Sequence, residues 1–452
     1  MNKISVIAIF DIGKTNKKLL LFDEQYELVH EESLQLPETM DEDGFACEDI
    51  IALTKWVKDS FERITKDERF IIKAANVSAY GASFVYLDGE GKVKLPLYNY
   101  LKPYPKELLD KFYKDNGGES LVGKQTASPS LGNLNSGLQL YRLKYEKPAM
   151  FSTIKYALHL PLYVSYLLSS KINSDITSIG CHTYLWNFQQ QKYHSWVTKE
   201  EIAEKLPALI SSTGIAGYTN NGIPIGVGLH DSSAALIPYL VSFKEPFILL
   251  STGTWCVSLN PFNHSQLSDY ELHNDCLCYL SYEGKPVKAS RLFAGYEHEQ
   301  QLKRLSEYFK TPVDYFSTVN WDTALLKKLN PVNKKHQSSN NSAMIGQSYF
   351  AKRELSEFLS YEQAYHQLIA DIIDQQVSST NLVLTGTAVK QIFVDGGFSQ
   401  NSIYMTLLSE AFTGIEVYAA SLPQASALGA AMAVSDKKMD SDVFKKHFSI
   451  YK

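Results

Sequence analysis

Within residues 5–23, SVIAIFDIGKTNKKLLLFD, one carboxylate, Asp11, is followed by Gly13, the hydroxyl of Thr15, the amide of Asn16 and the ammonium groups of Lys14, Lys17 and Lys18. These types suit phosphate: backbone amides of a glycine-containing turn make an anion nest. A carboxylate beside it suits hydrated magnesium, which takes one or two carboxylates, waters and phosphate oxygens. Two short apolar runs, Val6 to Phe10 and Leu19 to Phe22, must position these groups, and their turn-bounded ends predict a hairpin of two buried strands. Gly13-Lys14-Thr15 invites comparison with a Walker phosphate loop. That motif needs a glycine where Ala8 stands and a helix where the second strand-like run stands, so it is excluded. From this stretch alone, a plain surface hairpin with lysines at its tip would read the same way.

Three further stretches carry chemistry. Gly228-Leu229-His230-Asp231 leads into a predicted helix over 232–240, and a carboxylate at such a loop end can accept the proton of a hydroxyl in phosphoryl transfer. Aspartate followed by Ser232 and Ser233 is also an ordinary helix N-cap, and the two roles are compatible. Ser251-Thr252-Gly253-Thr254 is a hydroxyl-rich turn between two apolar runs, although its threonines would equally suit strands. Asp395 to Asn401 places Gly396-Gly397 between a predicted strand, 392–394, and a predicted helix, 402–413. Glycines there let the backbone approach a base or ribose, and the helix start favours phosphate; a simple strand-to-helix turn is the plainer reading. His264, His273, Cys276 and Cys278 match no zinc spacing, and Cys276-x-Cys278 is expected to alternate across a strand with one cysteine buried.

The elements that must hold these stretches read as α/β layers. A helix is predicted over 48–64, strands over 70–78 and 84–87, a turn at 88–91, an irregular loop-rich insertion over 102–150 and a buried helix over 156–169. Lys244-Glu245-Pro246 breaks the chain, and the second half reopens with strand, polar turn and strand, a hint of internal duplication. Helices are expected over 288–310, 361–379 and 424–434, with a strand at 416–418. With 452 residues, 44% apolar and 21% charged, two or three ordinary globular domains are expected. A net charge of -5 without basic runs gives no footprint for nucleic acid. No apolar run is long enough to span a membrane, and five scattered cysteines fit a reducing compartment, so a cytoplasmic protein is expected.

In order and spacing, the four stretches resemble the FGGY family of carbohydrate kinases over nearly the whole chain. The resemblance implies an α/β fold of two actin-like (ribonuclease H-like) ATPase domains flanking a deep catalytic cleft, with ATP and Mg²⁺ required. Residues 1–245 would bind sugar and carry the catalytic base, Asp231; residues 246–452 would bind nucleotide. Asp11 is implied as the metal-orienting carboxylate, with Asp231 beside the metal. Gly13, Thr15 and Lys18 are implied to face the transferred phosphate, Thr252, Gly253 and Thr254 to form a second phosphate loop, and Gly396, Gly397 and Asn401 to hold adenosine, with Gly295 a further nucleotide contact. Sugar contacts are expected at His230, Tyr80, Gly81, Tyr98 and Asn99. Many members carry tryptophan, aspartate and arginine where Tyr98-Asn99-Tyr100 stand, which leaves the sugar open.

His230-Asp231 followed by small residues resembles the kinases of L-fuculose and L-rhamnulose, implying transfer to O1 of a 6-deoxyketohexose. Tyr80, Tyr98, Tyr100, Tyr184 and Trp186 could give the apolar wall that a methyl group wants, although each also suits the core. The rivals are kinases of xylulose, ribulose or glycerol, a non-catalytic ATP-binding sugar sensor, and an ATP hydrolase of the same superfold. Sugar and ATP are the expected partners, with no nucleic acid and no membrane; a homodimer is compatible with the resemblance.

Overall fold

The predicted hairpin forms. Strand β1 (Ile4–Ile12) pairs antiparallel with β2 (Lys17–Asp23), which sets Asp11 opposite Lys18. A third strand that the polar pattern of its residues conceals, β3 (Leu28–Leu34), extends the sheet beyond β2. On the other side β1 pairs in parallel with β4 (Phe70–Ala79), setting Asp11 beside Ser78. Strands β5 (Ile215–Tyr218), β6 (Pro224–Gly226) and β7 (Leu229–His230) complete the sheet in the order β5-β6-β4-β1-β2-β3, with β7 also on β4. Residues Val6 to Phe10 are all buried, so the central strand reads as a continuous apolar run rather than an alternating one. Val6, Ala8 and Phe10 pack with Leu53, Val57 and Phe61 of helix α1 (Ile50–Lys66), which Asp49 caps, and with Leu160 and Val164 of α2 (Leu160–Ser169).

The computed structural model describes residues 3–326, 348–422, 424–437, 444, 446 and 448–451. Two of the expected elements differ in this half. Residues 102–150 are largely helical, in four short helices, Lys106–Asp115, Glu119–Thr126, Ser136–Glu146 and Pro148–Thr153. Most of the prolines and glycines that suggested a loop fall at the helix ends, where they start and stop short helices. Tyr156–His159 is a strand paired with Phe84–Leu87, and the helix begins only at Leu160.

The second half repeats the opening device. Strands β8 (Phe247–Thr252) and β9 (Cys256–Asn260) form a hairpin, and β8 pairs in parallel with a later strand as β1 does. The sheet also contains β10 (Cys276–Leu280), β11 (Pro286–Leu292), β12 (Gln391–Gly396), β13 (Glu416–Ala420) and β14 (Phe448–Tyr451), in the order β10-β11-β9-β8-β12-β13-β14. The helix expected over 288–310 is therefore strand β11 followed by a helix. Cys276 and Cys278 are both buried, because β10 is covered on both faces. Five further helices bear on the sites: α3 (Asp231–Ser242), α4 (Ala294–Phe309), α5 (Tyr361–Leu384), α6 (Ser402–Ala411) and α7 (Ala425–Val434).

The chain separates into two compact units. One comprises Met1–Ser242, Cys278–Pro286 and Gln424–Phe444; the other comprises Phe243–Leu277, Val287–Pro423 and Lys445–Lys452. An expected single cut at 245/246 differs from this division chiefly through α7, whose residues join the first unit. Packing explains the return: a Cβ at Gly429 would stand 1.8 Å from the carbonyl oxygen of Ala234 in α3, so only glycine permits the two helices to approach so closely. Buried Asn76 of β4 donates to the carbonyl of Ala430 at 2.8 Å, tying α7 to the sheet as well.

Candidate active site

In the first unit, parallel pairing brings the carboxyl ends of β1 and β7 to either side of β4. Asp11 lies opposite Ser78, and His230 lies opposite Ala79 with Asp231 following it. Burial and the negative charge of Asp231 push the Asp11 carboxyl up to about 6, while the hydrogen bond from Ser426, the neighbouring Ser78 hydroxyl and the charge of Lys18 oppose the shift. Ser426 donates to Asp11 at 3.1 Å from helix α7. The serine carries no motif that sequence reasoning could have used.

The three lysines of the hairpin do not act alike. Lys18 shares the face of Asp11 and pairs with Glu31 at 2.9 Å. Lys14 pairs with Glu38 at 3.2 Å. Lys17 points the other way and is buried against Glu48, as strand alternation requires, while donating to the carbonyl of Lys14 at 3.0 Å. Only Lys18 of the three is therefore placed toward Asp11. Gly13 closes the tip by donating its amide to Asn16 at 2.9 Å, and Thr15 is exposed there.

Asp231 opens α3 without capping it in the usual manner. Its Oδ1 accepts from the amide of the adjacent Ser232 at 2.6 Å and from that residue's hydroxyl at 3.3 Å, not from amides two or three residues on. The same oxygen lies 3.2 Å from Nε2 of His230. Burial holds the His230 imidazole below its ordinary value despite this neighbour. Ser233 gives its hydroxyl hydrogen to the carbonyl of Leu280 at 2.9 Å and so accepts from Nδ1 of His230 at 3.3 Å, while Cys181 Sγ lies 3.0 Å from Nε2. Oδ2 of Asp231 has no hydrogen-bond partner among the described residues, and the side chain is 37% exposed.

The residues expected to touch a sugar divide into two groups. Gly81 stands against His230 and Cys181, since a Cβ there would come within 3.0 Å of the imidazole and 2.8 Å of the sulfur. Tyr80, Tyr98 and Asn99 instead turn their polar ends to the segment 42–48. Tyr80 donates to Glu48, and Tyr98 donates to Glu42 at 2.5 Å. Asn99 donates to the carbonyl of Ala46 at 3.1 Å and accepts from the amide of Leu101 at 3.0 Å. All three are buried.

A separate cleft of about 560 Å³ opens in the second unit. Of the residues expected to meet nucleotide, Thr252, Gly253, Gly295, Gly397 and Asn401 line it; Thr254 is exposed at the adjacent turn, and Gly396, also exposed, is not among the lining residues. Close backbone approach builds this wall. A Cβ at Gly295 would stand 1.8 Å from the carbonyl of Gly253, and one at Gly396 would stand 2.1 Å from that of Thr252. Gly396 also has φ +87°, whereas Gly397 meets only an ordinary contact of 3.9 Å. The hydroxyl of Thr252 joins the two loops by donating to the carbonyl of Asp395 at 2.6 Å and accepting from the amide of Phe398 at 3.0 Å. Burial pushes the Asp395 carboxyl up to about 6. His298, Phe316, Val319, Asn320 and Gln400 also line the cleft, and nothing in their spacing signals it.

Residues 6–237 match the N-terminal domain of the FGGY family of carbohydrate kinases, and residues 244–442 match the C-terminal domain, "Carbohydrate kinase FGGY". The chain belongs to the FGGY family. Among curated relatives of this FGGY chain, a rhamnulokinase of Mannheimia succiniciproducens is 26% identical over 259 residues, which are 55% of this chain and 52% of that protein. A Klebsiella pneumoniae rhamnulokinase is 25% identical over 49% of this chain and 46% of its own length. The chain thus spans about half the length of the curated relatives it matches. A carbohydrate kinase from Novosphingobium aromaticivorans, 19% identical, has a TM-score of 0.78 over 98% of this chain and 96% of its own. A ligand-bound xylulose kinase from Lactobacillus acidophilus, 16% identical, reaches 0.81 over 99% and 93%. At such identities the structural likeness shows the fold, which is the two-domain, actin-like FGGY fold. No helix among the described residues is long and apolar enough to cross a membrane.

Proposed function

We propose that this FGGY chain transfers the γ-phosphoryl group of ATP to a hydroxyl of a small sugar, specifically O1 of a 6-deoxyketohexose such as L-rhamnulose or L-fuculose. The observation that carries the reading is the open oxygen of Asp231. Its Oδ1 is held by Ser232 and faces His230, while Oδ2 is left to accept a proton. In the reaction the acceptor oxygen bonds to the γ-phosphorus, the bond from that phosphorus to the β-bridging oxygen breaks, ADP leaves, and the hydroxyl proton passes to Asp231. Positioning and charge neutralisation do the rest. Lys18, Gly13 and Thr15 face the transferred group in this reading, and the Thr252, Gly295, Gly397 and Asn401 cleft holds the nucleotide. Domain roles follow, with acceptor and base in the N-terminal half and nucleotide in the C-terminal half.

The residues present fit a magnesium ion. Asp11 and Asp231 are close enough that one raises the pKa of the other, and the nearby Lys18 is already paired with Glu31, so the pair carries surplus negative charge that suits a divalent cation. Asp11 and Asp231 would hold it, and when bound it neutralises charge on the phosphate oxygens.

Support for the deoxyketose comes from His230-Asp231 followed by Ser232 and Ser233, and from the rhamnulokinases among the relatives. Coupled ADP release with L-rhamnulose, L-fuculose, L-ribulose, D-xylulose and glycerol at equal concentrations tests it. The highest kcat/KM is expected for a deoxyketose. A higher value for D-xylulose or glycerol would reject the specificity and leave the kinase. ADP release without sugar would indicate a hydrolase, and nucleotide binding without turnover on any sugar would indicate a sensor.

A further inference from the structure

At the second unit's cleft, two lining side chains, His298 and Asn401, are joined through buried Tyr365 in a hydrogen-bonded chain with a defined direction. Asn401, at the start of α6, accepts the amide of Tyr404 on its Oδ1 at 3.0 Å, which fixes the orientation of its amide. Its Nδ2 therefore points the other way and donates to the hydroxyl of Tyr365 in α5 at 2.7 Å. The Tyr365 hydroxyl in turn lies 3.2 Å from Nε2 of His298 in α4. Tyr365 is fully buried, and no other acceptor for its hydrogen exists among the described residues. Leaving a buried hydroxyl hydrogen without an acceptor costs as much as a lost hydrogen bond, so that hydrogen goes to His298. Nε2 is then the bare nitrogen of the imidazole and Nδ1 carries the proton.

Electrostatics agree with this assignment. Burial holds the imidazole of His298 down at about 4, so the ring is neutral and has one hydrogen to place. Burial also raises the Tyr365 phenol above its ordinary value, so the phenol keeps its proton. Nδ1 of His298 has no hydrogen-bond partner among the described residues, although the ring is wedged edge-on against Phe316, at 5.3 Å between centroids, and Phe398, at 5.1 Å. His298, Phe316, Val319 and Phe398 all line the cleft, which supplies apolar walls of the kind a flat base needs.

We propose that His298 is a recognition residue for the nucleotide, presenting Nδ1–H as a fixed donor to an acceptor nitrogen of a purine base, and that Asn401 and Tyr365 are positioning residues that set its tautomer. This rests on the reading of the cleft as the nucleotide site. Asn401 thereby acts on the ligand through two intervening residues as well as by lining the cleft. The arrangement selects for an acceptor at one place on the base, because a neutral imidazole with its other nitrogen occupied by a donor cannot reverse its role.

The test uses the intact chain and ADP as the probe. Calorimetric titration of wild type, His298→Phe and His298→Asn is combined with ¹⁵N spectra of the histidine ring. His298→Phe, which keeps the ring and removes the donor, is expected to weaken ADP binding roughly five- to tenfold while leaving the sugar KM unchanged. His298→Asn, whose amide nitrogen occupies nearly the place of Nδ1, is expected to restore affinity to within about threefold of wild type. The wild-type spectrum is expected to show the Nδ1–H tautomer, and Tyr365→Phe is expected to convert it to a mixture. Tight ADP binding by wild type and an equal affinity in His298→Phe would overturn the assignment alone, as would an Nε2–H spectrum. No ADP binding by wild type would overturn the nucleotide reading and this assignment with it.

Discussion

The two candidate regions use opposite materials. Around Asp11 and Asp231 the work falls to side-chain charge, with two carboxylates and a lysine brought to one place by strand register. Around the 560 Å³ cleft it falls to the absence of side chains, since Gly295 and Gly396 let loops approach closer than any Cβ allows. The difference teaches where each region is vulnerable. Removing charge from the first should alter chemistry and leave folding largely intact, whereas adding a carbon to the second should damage structure before chemistry.

The largest effect is expected from Asp231→Asn. An amide of the same shape cannot take the proton on Oδ2, so kcat should fall about 10²- to 10⁴-fold, with ADP affinity by calorimetry within about twofold of wild type. Turnover within a few-fold of wild type would move the chemistry away from this side chain. The glycines give the next largest effect. Gly396→Ala forces a Cβ to 2.1 Å from a carbonyl at φ +87°, and a loss of about 2–3 kcal/mol is expected, seen as a lower calorimetric transition. Gly397→Ala meets nothing nearer than 3.9 Å and should cost less than about 1 kcal/mol, with any effect confined to nucleotide KM. Equal losses at the two positions would break the distinction between wall and lining.

The smallest effect sharpens the charge side. The Asp11 carboxyl titrates at about 6 in the folded state against 3.8 ordinarily, so between those values the folded chain binds more protons than the unfolded one. The contribution of this carboxyl to stability therefore falls as pH rises from about 4 to about 6 and is constant above. Asp11→Asn removes that loss. With a chelator present, the variant should approach wild type near pH 4 and exceed it at pH 8 by on the order of 3 kcal/mol. A variant less stable than wild type at pH 8 would show that Asp11 is already compensated within the fold.

Legibility in the sequence followed the range over which each signal acts. The hairpin from Ile4 to Asp23 was readable because short apolar runs and a polar turn lie side by side in the chain. Thr252, Gly295 and Asn401 came from motif order, and the cleft does gather them. Residues 286–309 were misread because the buried strand Pro286–Leu292 and the amphipathic helix after it run together without a break strong enough to separate their periods. The short helices between 106 and 153 were hidden by their own caps. Ser426 and His298 could not be read at all, since a serine in an alanine-rich helix and one histidine in an amphipathic helix acquire meaning only from partners that tertiary packing supplies.

Helix α7 imposes an order of events on synthesis. The hydrogen-bond partners Asp11 and Ser426 are separated by 415 positions, so at about 5–20 residues per second a ribosome needs roughly 20 to 80 seconds between them. During that interval the first sheet has emerged without the helix that covers Asn76 and Ala234. Its exposed apolar strands are then a target for chaperones and for aggregation. A gene fragment ending near residue 245 would hold the nascent chain permanently in that state, which makes the return of α7 a late checkpoint: Asp11 acquires its finished surroundings only after the 415 positions that separate it from Ser426 have been made.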